Sequence, residues 1–123
     1  MKIKAPLVKK EEVELLCKAG ADELFCGIEP YSWSKKYREL LISQRSRNAN
    51  FTSLNKLEKA IATAHRHKAK VHVAINAFFY LEKQYAMAEE IIKNIFTAGA
   101  DGLIIADPIL LLTLNKSLLK NND

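Results

Sequence analysis

Two stretches of this chain share one layout, and that repetition limits the fold more than any other feature: Ala19-Gly20-Ala21-Asp22-Glu23-Leu24-Phe25-Cys26-Gly27 and Ala98-Gly99-Ala100-Asp101-Gly102-Leu103-Ile104-Ile105-Ala106-Asp107. In each, an amphipathic run stops at a glycine, small or acidic residues follow, and a short apolar run ends in Gly27 or Asp107. The layout predicts a helix, a tight turn and a strand. Glycine suits the turn because a helix often closes with a left-handed residue just past its last turn, which costs a side-chain-bearing residue about 1 kcal/mol. Leu24 to Cys26 and Leu103 to Ala106 are apolar without strict alternation, as expected of parallel strands covered on both faces. A third unit of the same layout spans residues 54–76.

The other elements follow from the same periodicities. Lys2 to Leu7 reads as a first strand ending near Pro6, and Lys10 to Ala19 as a helix with Val13, Leu16 and Cys17 on its apolar face. Thr52 or Ser53 caps a second helix carrying Leu54, Leu57, Ile61 and Ala64, and Val71 to Ile75 is a third strand. Leu81 to Ala98 forms a third helix that turns Leu81, Tyr85, Ala88, Ile91, Ile92, Ile95 and Phe96 inward. Leu103 to Ala106 is a fourth strand. Asp107 and Pro108 then serve as cap and first residue of a fourth helix, Ile109 to Leu119, ahead of the polar end Lys120 to Asp123. Ile28 to Phe51 is a long irregular insertion, in which Ser34 to Ser43 is expected to be a short helix with Tyr37, Leu40 and Leu41 inward. Glu29 to Trp33 shows neither period and reads as a self-packed loop, a lid or a pocket wall.

Residues 1–123 are thus expected to form a single α/β domain, large enough to bury about two-thirds of its extended surface. Four strand and helix units make a parallel (βα)4 half of a TIM-type barrel, which closes with eight. The alternative is a small open doubly wound sheet, which reorders its strands. The first and fourth strands would be open edges, so a homodimer or a second chain completing the barrel is the expected partner. No run of 18 apolar residues occurs and the start lacks the apolar core of a secretory signal, so the expectation is a cytoplasmic protein without a membrane partner.

Residue chemistry narrows the function further. Cys17 and Cys26 cannot build a disulfide framework and lack metal-site spacing, and His65 and His67 point apart on a helix. No metal and no cofactor is therefore expected. His72 reads as a packed, hydrogen-bonded imidazole. The net charge is +5, and Lys35, Lys36, Arg38, Arg45 and Arg47 fall in a stretch that holds only Glu29 and Glu39 as acids. That run, beside Tyr31, Trp33 and Tyr37, makes RNA a candidate partner. Sites in such folds lie at the carboxyl ends of the strands, where the candidates are Glu29, Trp33, Arg45, Arg47, Asn48, Asn50, Asn76 and Asp107. Arg47, Asn48 and Asn50 offer donors to a carboxylate, a phosphate or a nucleobase edge. Asn76 can orient a ligand or bond its own loop; Asp107 is first a helix cap and otherwise a ligand group. The chain has no nucleophile elbow, HExxH sequence or glycine-rich phosphate loop, so a complete hydrolase within it is not expected.

Five motifs in order, Ala5-Pro6, Lys18 to Gly27, Arg47-Asn48-Ala49-Asn50-Phe51-Thr52, Lys70 to Asn76 and Ala98 to Pro108, together resemble the N-terminal part of the collagenase-like peptidase family, peptidase family U32. The resemblance implies a barrel-type N-terminal domain of a longer protein and a hydrolase label. It also implies relatives that hydroxylate RNA bases or quinone precursors with iron–sulfur clusters, held by cysteines beyond a segment such as this one. Three functions are therefore expected in competition: part of a peptidase-family enzyme, an RNA-binding module or component of an RNA or quinone-precursor hydroxylation system, and a noncatalytic barrel-completing subunit.

Overall fold

The computed structural model describes residues 1–37 and 40–114. Strands β1 (Lys4–Pro6), β2 (Glu23–Ile28), β3 (Asn50–Phe51), β4 (Lys70–Ile75) and β5 (Gly102–Ile105) form one open sheet in the order β1-β2-β4-β5, with β3 paired to β2. Every pairing among them is parallel. Helices α1 (Val13–Lys18), α2 (Tyr31–Lys36), α3 (Leu54–Arg66), α4 (Tyr85–Thr97) and α5 (Pro108–Leu114) connect or follow the strands. The main strands lie in chain order, without the reversal a doubly wound sheet uses.

The helix closures expected from the repeated motif are present. Gly20 has φ 112°, Ala21 N donates to Leu16 O at 3.1 Å, and Gly20 N donates to Cys17 O at 3.1 Å. Gly99 repeats this at φ 100°, with Ala100 N bonded to Ile95 O and Gly99 N to Phe96 O. The third unit closes in the same way around Lys68, at φ 61°, with Ala69 N bonded to Ala64 O at 2.9 Å. These bonds satisfy carbonyls that a helix end leaves free and swing the chain into the next strand.

The aspartates of the motif then set where strands begin. Asp22 Oδ2 accepts from Ile3 N and Asp101 Oδ2 accepts from Val71 N, each at 2.8 Å. Asp101 Oδ2 also lies 2.8 Å from His65 Nε2, so the exposed end of α3 is tied to the turn before β5. Burial works against the charge on Asp101, but the bonds from His65 and the Val71 amide outweigh it and hold the carboxyl below its ordinary range.

Side-chain alternation divides the sheet into two unlike faces. Leu24, Cys26 and Ile28 of β2 and Val71, Val73 and Ile75 of β4 are fully buried in the cluster that includes Val13, Leu57, Ile61, Ile92 and Ile95 from the helices. The opposite face is covered only in part within the described residues: Gly27 and Ala74 are buried there. Phe25 and His72 are half-buried there, and Ile104 of β5 is 38% exposed. The expectation that both faces are buried therefore holds only in part: near the strand ends the second face is covered, whereas Ile104 of β5 faces outward among the described residues. His72 also departs from expectation, because it packs against Gly102 without a hydrogen-bond partner among the described residues.

The insertion is more ordered than its sequence suggests. Its helix is Tyr31–Lys36 rather than Ser34 to Ser43, starting directly after Pro30, whose extended backbone (φ −60°, ψ 149°) sits at the cap position. Trp33 and Tyr37 turn inward, whereas Leu40 and Leu41 stay exposed. Trp33 Nε1 donates to Leu40 O at 2.8 Å, which folds the chain back and ends the helix early. Trp33 packs on Tyr37 and Tyr80, and Tyr80 on Tyr85, with ring centroids 4.9 to 6.1 Å apart. On α4, Ala88, Ile91, Ile92 and Ile95 are buried as expected, but Phe96 is exposed. The expected course of the fourth helix to Leu119 and the polar end beyond it lie outside the described residues, as do Arg38 and Glu39.

Lys68 is the one non-glycine residue with positive φ among those described. Lys68→Gly is expected to raise stability by about 0.5–1 kcal/mol, the left-handed strain removed less the added freedom of the unfolded chain. Urea unfolding of the two proteins measures it, and an unchanged or lower midpoint goes against the expectation.

Candidate functional site

The carboxyl ends of the strands are built around Gly27. β1 accompanies β2 as far as Phe25, and β3 takes up Gly27 and Ile28. Gly27 pairs with Ala74 as well, which places β3 on the edge that β1 has left. Arg45 fastens this junction. Its Nη2 donates to Leu7 O at 3.4 Å and to Ala49 O at 3.3 Å, and its guanidinium lies 5.5 Å from the centroid of the Phe25 ring. A Cβ at residue 27 would fall 2.0 Å from Asn50 Oδ1 and 2.8 Å from Arg45 Cδ, so both side chains approach β2 only because residue 27 has none.

Two residues farther along, Glu29 N donates to Phe51 O at 2.8 Å, which extends the β2–β3 pairing and turns the Glu29 side chain into the site. Glu29 is 2% exposed, and its Oε2 accepts from Nε of the half-buried Arg47. Asn50 is 8% exposed. Glu29 Oε1, Arg45 Nε, Arg47 Nη2 and Asn50 Oδ1 are buried and meet no hydrogen-bond partner; these are four of the six such side-chain atoms among the described residues. Native interiors leave few polar groups in that state. Two of the four accept and two donate.

Asn76 follows β4. Its Oδ1 accepts from Gln44 N at 3.0 Å and its backbone O accepts from Gln44 Nε2 at 2.7 Å, so its side chain holds the insertion in place beside the site. Asn48 is exposed and lines a cleft of about 270 Å³ with Lys9, Asn50, Thr52 and Lys56. A second cleft, about 420 Å³, is lined by Tyr31, Ser34, Lys35 and Arg47. The structure thus gathers Glu29, Arg45, Arg47, Asn48, Asn50 and Asn76. It places two candidates elsewhere. Trp33 is fully buried in the aromatic cluster. Asp107, 3% exposed, caps α5 through Ile109 N at 3.0 Å and accepts from the Tyr85 hydroxyl. Burial, then that bond to Asp107, raises the Tyr85 pKa.

The sequence marks Gly27 only as the end of a strand run and does not single out Gln44. A glycine inside an apolar strand run signals a close approach and could have marked the first; nothing in the sequence marks the second. The residues do not fit an iron–sulfur cluster. Cys26 is fully buried, and burial pushes its thiol up to about 12 against the opposing pull of Arg45. Cys17 lies on α1, and no group of three or more His, Cys, Asp or Glu among the described residues could hold a metal ion.

Gly27→Ala is expected to displace Asn50 and Arg45 from β2 and to lower stability by about 1–3 kcal/mol through overpacking. Thermal unfolding measures the loss. A variant as stable as the parent shows that the site yields freely.

No helix among the described residues is long and apolar enough to cross a membrane. Over 112 residues the chain is 27% identical to the tRNA hydroxylation protein P1 of Bacillus subtilis strain 168, covering 91% of this chain and 24% of that protein. The chain therefore spans about a quarter of that curated relative. Among solved structures it resembles CpGH84B, with a TM-score of 0.59 at 13% identity, over 98% of this chain and 25% of the other. It also resembles the U32 peptidase Mk0906, with a TM-score of 0.58 at 12% identity, over 93% of this chain and 44% of the other. At those identities the likeness concerns the fold alone. The family model for peptidase family U32 matches residues 8–122, nearly the whole length over which the repeated turns and the strand-end cluster are built, and the chain belongs to that family.

Proposed function

We propose that the chain forms half of a TIM-type barrel in a U32 protein that acts on tRNA, and that it supplies a base-recognising site rather than a peptidase centre. The observation that carries this reading is the mixed character of the unpartnered atoms. A phosphate or carboxylate offers acceptors alone and would leave Glu29 Oε1 and Asn50 Oδ1 without donors. A nucleobase edge presents N–H beside C=O and so offers partners of both kinds. A peptide bond offers the same two groups, but the basic residues Lys35, Lys36, Arg45 and Arg47 favour a polyanion. The relative described as a tRNA hydroxylation protein favours it too. The family's hydroxylation chemistry would then reside outside these residues, and a tRNA substrate implies a cytoplasmic setting.

Titration of the chain with fluorescently labelled single-stranded RNA at two salt concentrations tests the reading. Binding that weakens steeply with salt is expected, together with a loss of about tenfold or more in Arg47→Ala, which leaves Glu29 without its charge partner. No binding at low salt, or binding indifferent to salt, sinks it.

The same proposal assigns the open strands a partner. β1 and β5 are the two ends of the main strand order, and Ile104 on β5 is exposed. Unpaired edge strands attract further strands, so a second copy or the remainder of a barrel covers them. Sedimentation equilibrium across a wide concentration range should reveal self-association of the chain alone; a monomer persisting at high concentration removes the homodimer and leaves completion by another polypeptide.

A further inference from the structure

The loop that follows β4 displays two phenylalanines to solvent, Phe78 at 73% and Phe79 at 69% exposure. It is held at both ends. Before it, Asn76 is bonded twice by Gln44. After it, Tyr80 is 6% exposed, and its hydroxyl donates to Ile42 O while accepting from Ala77 N at 3.3 Å. Neither ring is therefore exposed because the loop has frayed. The turn that comes next, Glu82–Gln84, carries the basic Lys83. Lys83 O accepts from the Tyr37 hydroxyl at 3.1 Å, and the ammonium groups of Lys36 and Lys83 lie 5.5 and 5.9 Å from the centroid of the Tyr37 ring. Two lysines from different elements thus flank Tyr37, and one of them, Lys83, follows Phe79 by four residues, with the exposed Glu82 as the acid on that turn.

We infer that Phe78 and Phe79 are a stacking platform for unpaired bases of a single-stranded RNA segment, with Lys36 and Lys83 on its phosphates. This rests on the reading that the chain acts on RNA and adds to it a second contact region, separate from the Glu29–Arg47 cluster. Charge complementarity selects the occupant: flat apolar rings accept any base by its face, and adjacent ammonium groups neutralise the backbone that carries it. Asn76 links the platform to the site, since the residue that fixes the base of the loop also holds the insertion carrying Arg45 and Arg47.

The test compares the parent chain with Phe78→Ala/Phe79→Ala and Lys36→Ala/Lys83→Ala in binding an oligoribonucleotide that contains 2-aminopurine. All four residues are exposed, the lysines also lying against Tyr37, and urea unfolding confirms that each variant folds. The phenylalanine variant should bind about 10-fold or more weakly with an unchanged salt slope and should lose the quenching of 2-aminopurine that stacking produces. The lysine variant should instead show a shallower salt slope, by about 1 to 2. If the parent binds RNA and the phenylalanine variant binds it equally well with equal quenching, the platform is refuted while the RNA reading stands. If the parent does not bind at all, both fall. If the phenylalanine variant changes sedimentation but not RNA affinity, the rings belong to a protein interface and the inference is overturned.

Discussion

The fold depends on how its helices stop. At Gly20, Lys68 and Gly99 a left-handed residue lets the amide of the next residue reach back five positions to a helix carbonyl, and the chain leaves in the direction of a strand. The closure satisfies groups that burial would otherwise strand. It also reverses the chain so that each strand runs parallel to the last. Asp22 and Asp101 complete the device by capturing the amides of Ile3 and Val71 on the neighbouring strand. Position along the strand is thereby set by a charge-assisted bond as well as by apolar packing, which matters where an error of one residue would exchange the two faces of the sheet.

Those two faces explain most of what the sequence could and could not convey. Glycine closures, helical stripes and the cap at Asp107 are local, so they were legible in the residues themselves. Apolar composition alone suggests burial on both faces, but it does not say how far the second cover extends. For β2 the alternation was hidden because Phe25, on the open face, is as apolar as its buried neighbours Leu24 and Cys26. The two-residue β3 was invisible for a simpler reason: no periodicity can be seen in Asn50 and Phe51. The helix in the insertion was shifted because Trp33 and Tyr37 are anchored by distant partners, Leu40, Tyr80 and Lys83, that no local pattern announces.

The candidate site shows the same division. That polar residues would gather at the strand ends followed from the architecture, and Glu29, Arg45, Arg47, Asn50 and Asn76 do gather there. How they are held did not follow. Arg45 spends part of its guanidinium on Leu7 O and Ala49 O, so it is as much a fastener of β3 as a ligand group. Asn76 holds Gln44, and Asp107 is absorbed by its helix cap and Tyr85. Residue type marked these groups as capable of binding; only their partners distinguish those already engaged from those with atoms left over.

The chain-order sheet has a consequence for how the protein is made. β1 and β2 are close in sequence, and the closure at Gly20 can bring them together as soon as Ile28 has emerged from the ribosome. β4, the partner on the other edge of β2, begins only at Lys70. At ordinary elongation rates that delay is on the order of seconds, long compared with local helix and turn formation. During it the nascent strand carries an unpaired apolar edge outside the ribosome. The insertion that builds the strand-end cluster adds to this wait beside α3, so lengthening it to enlarge the cluster would extend the interval in which the half-made sheet is open to aggregation.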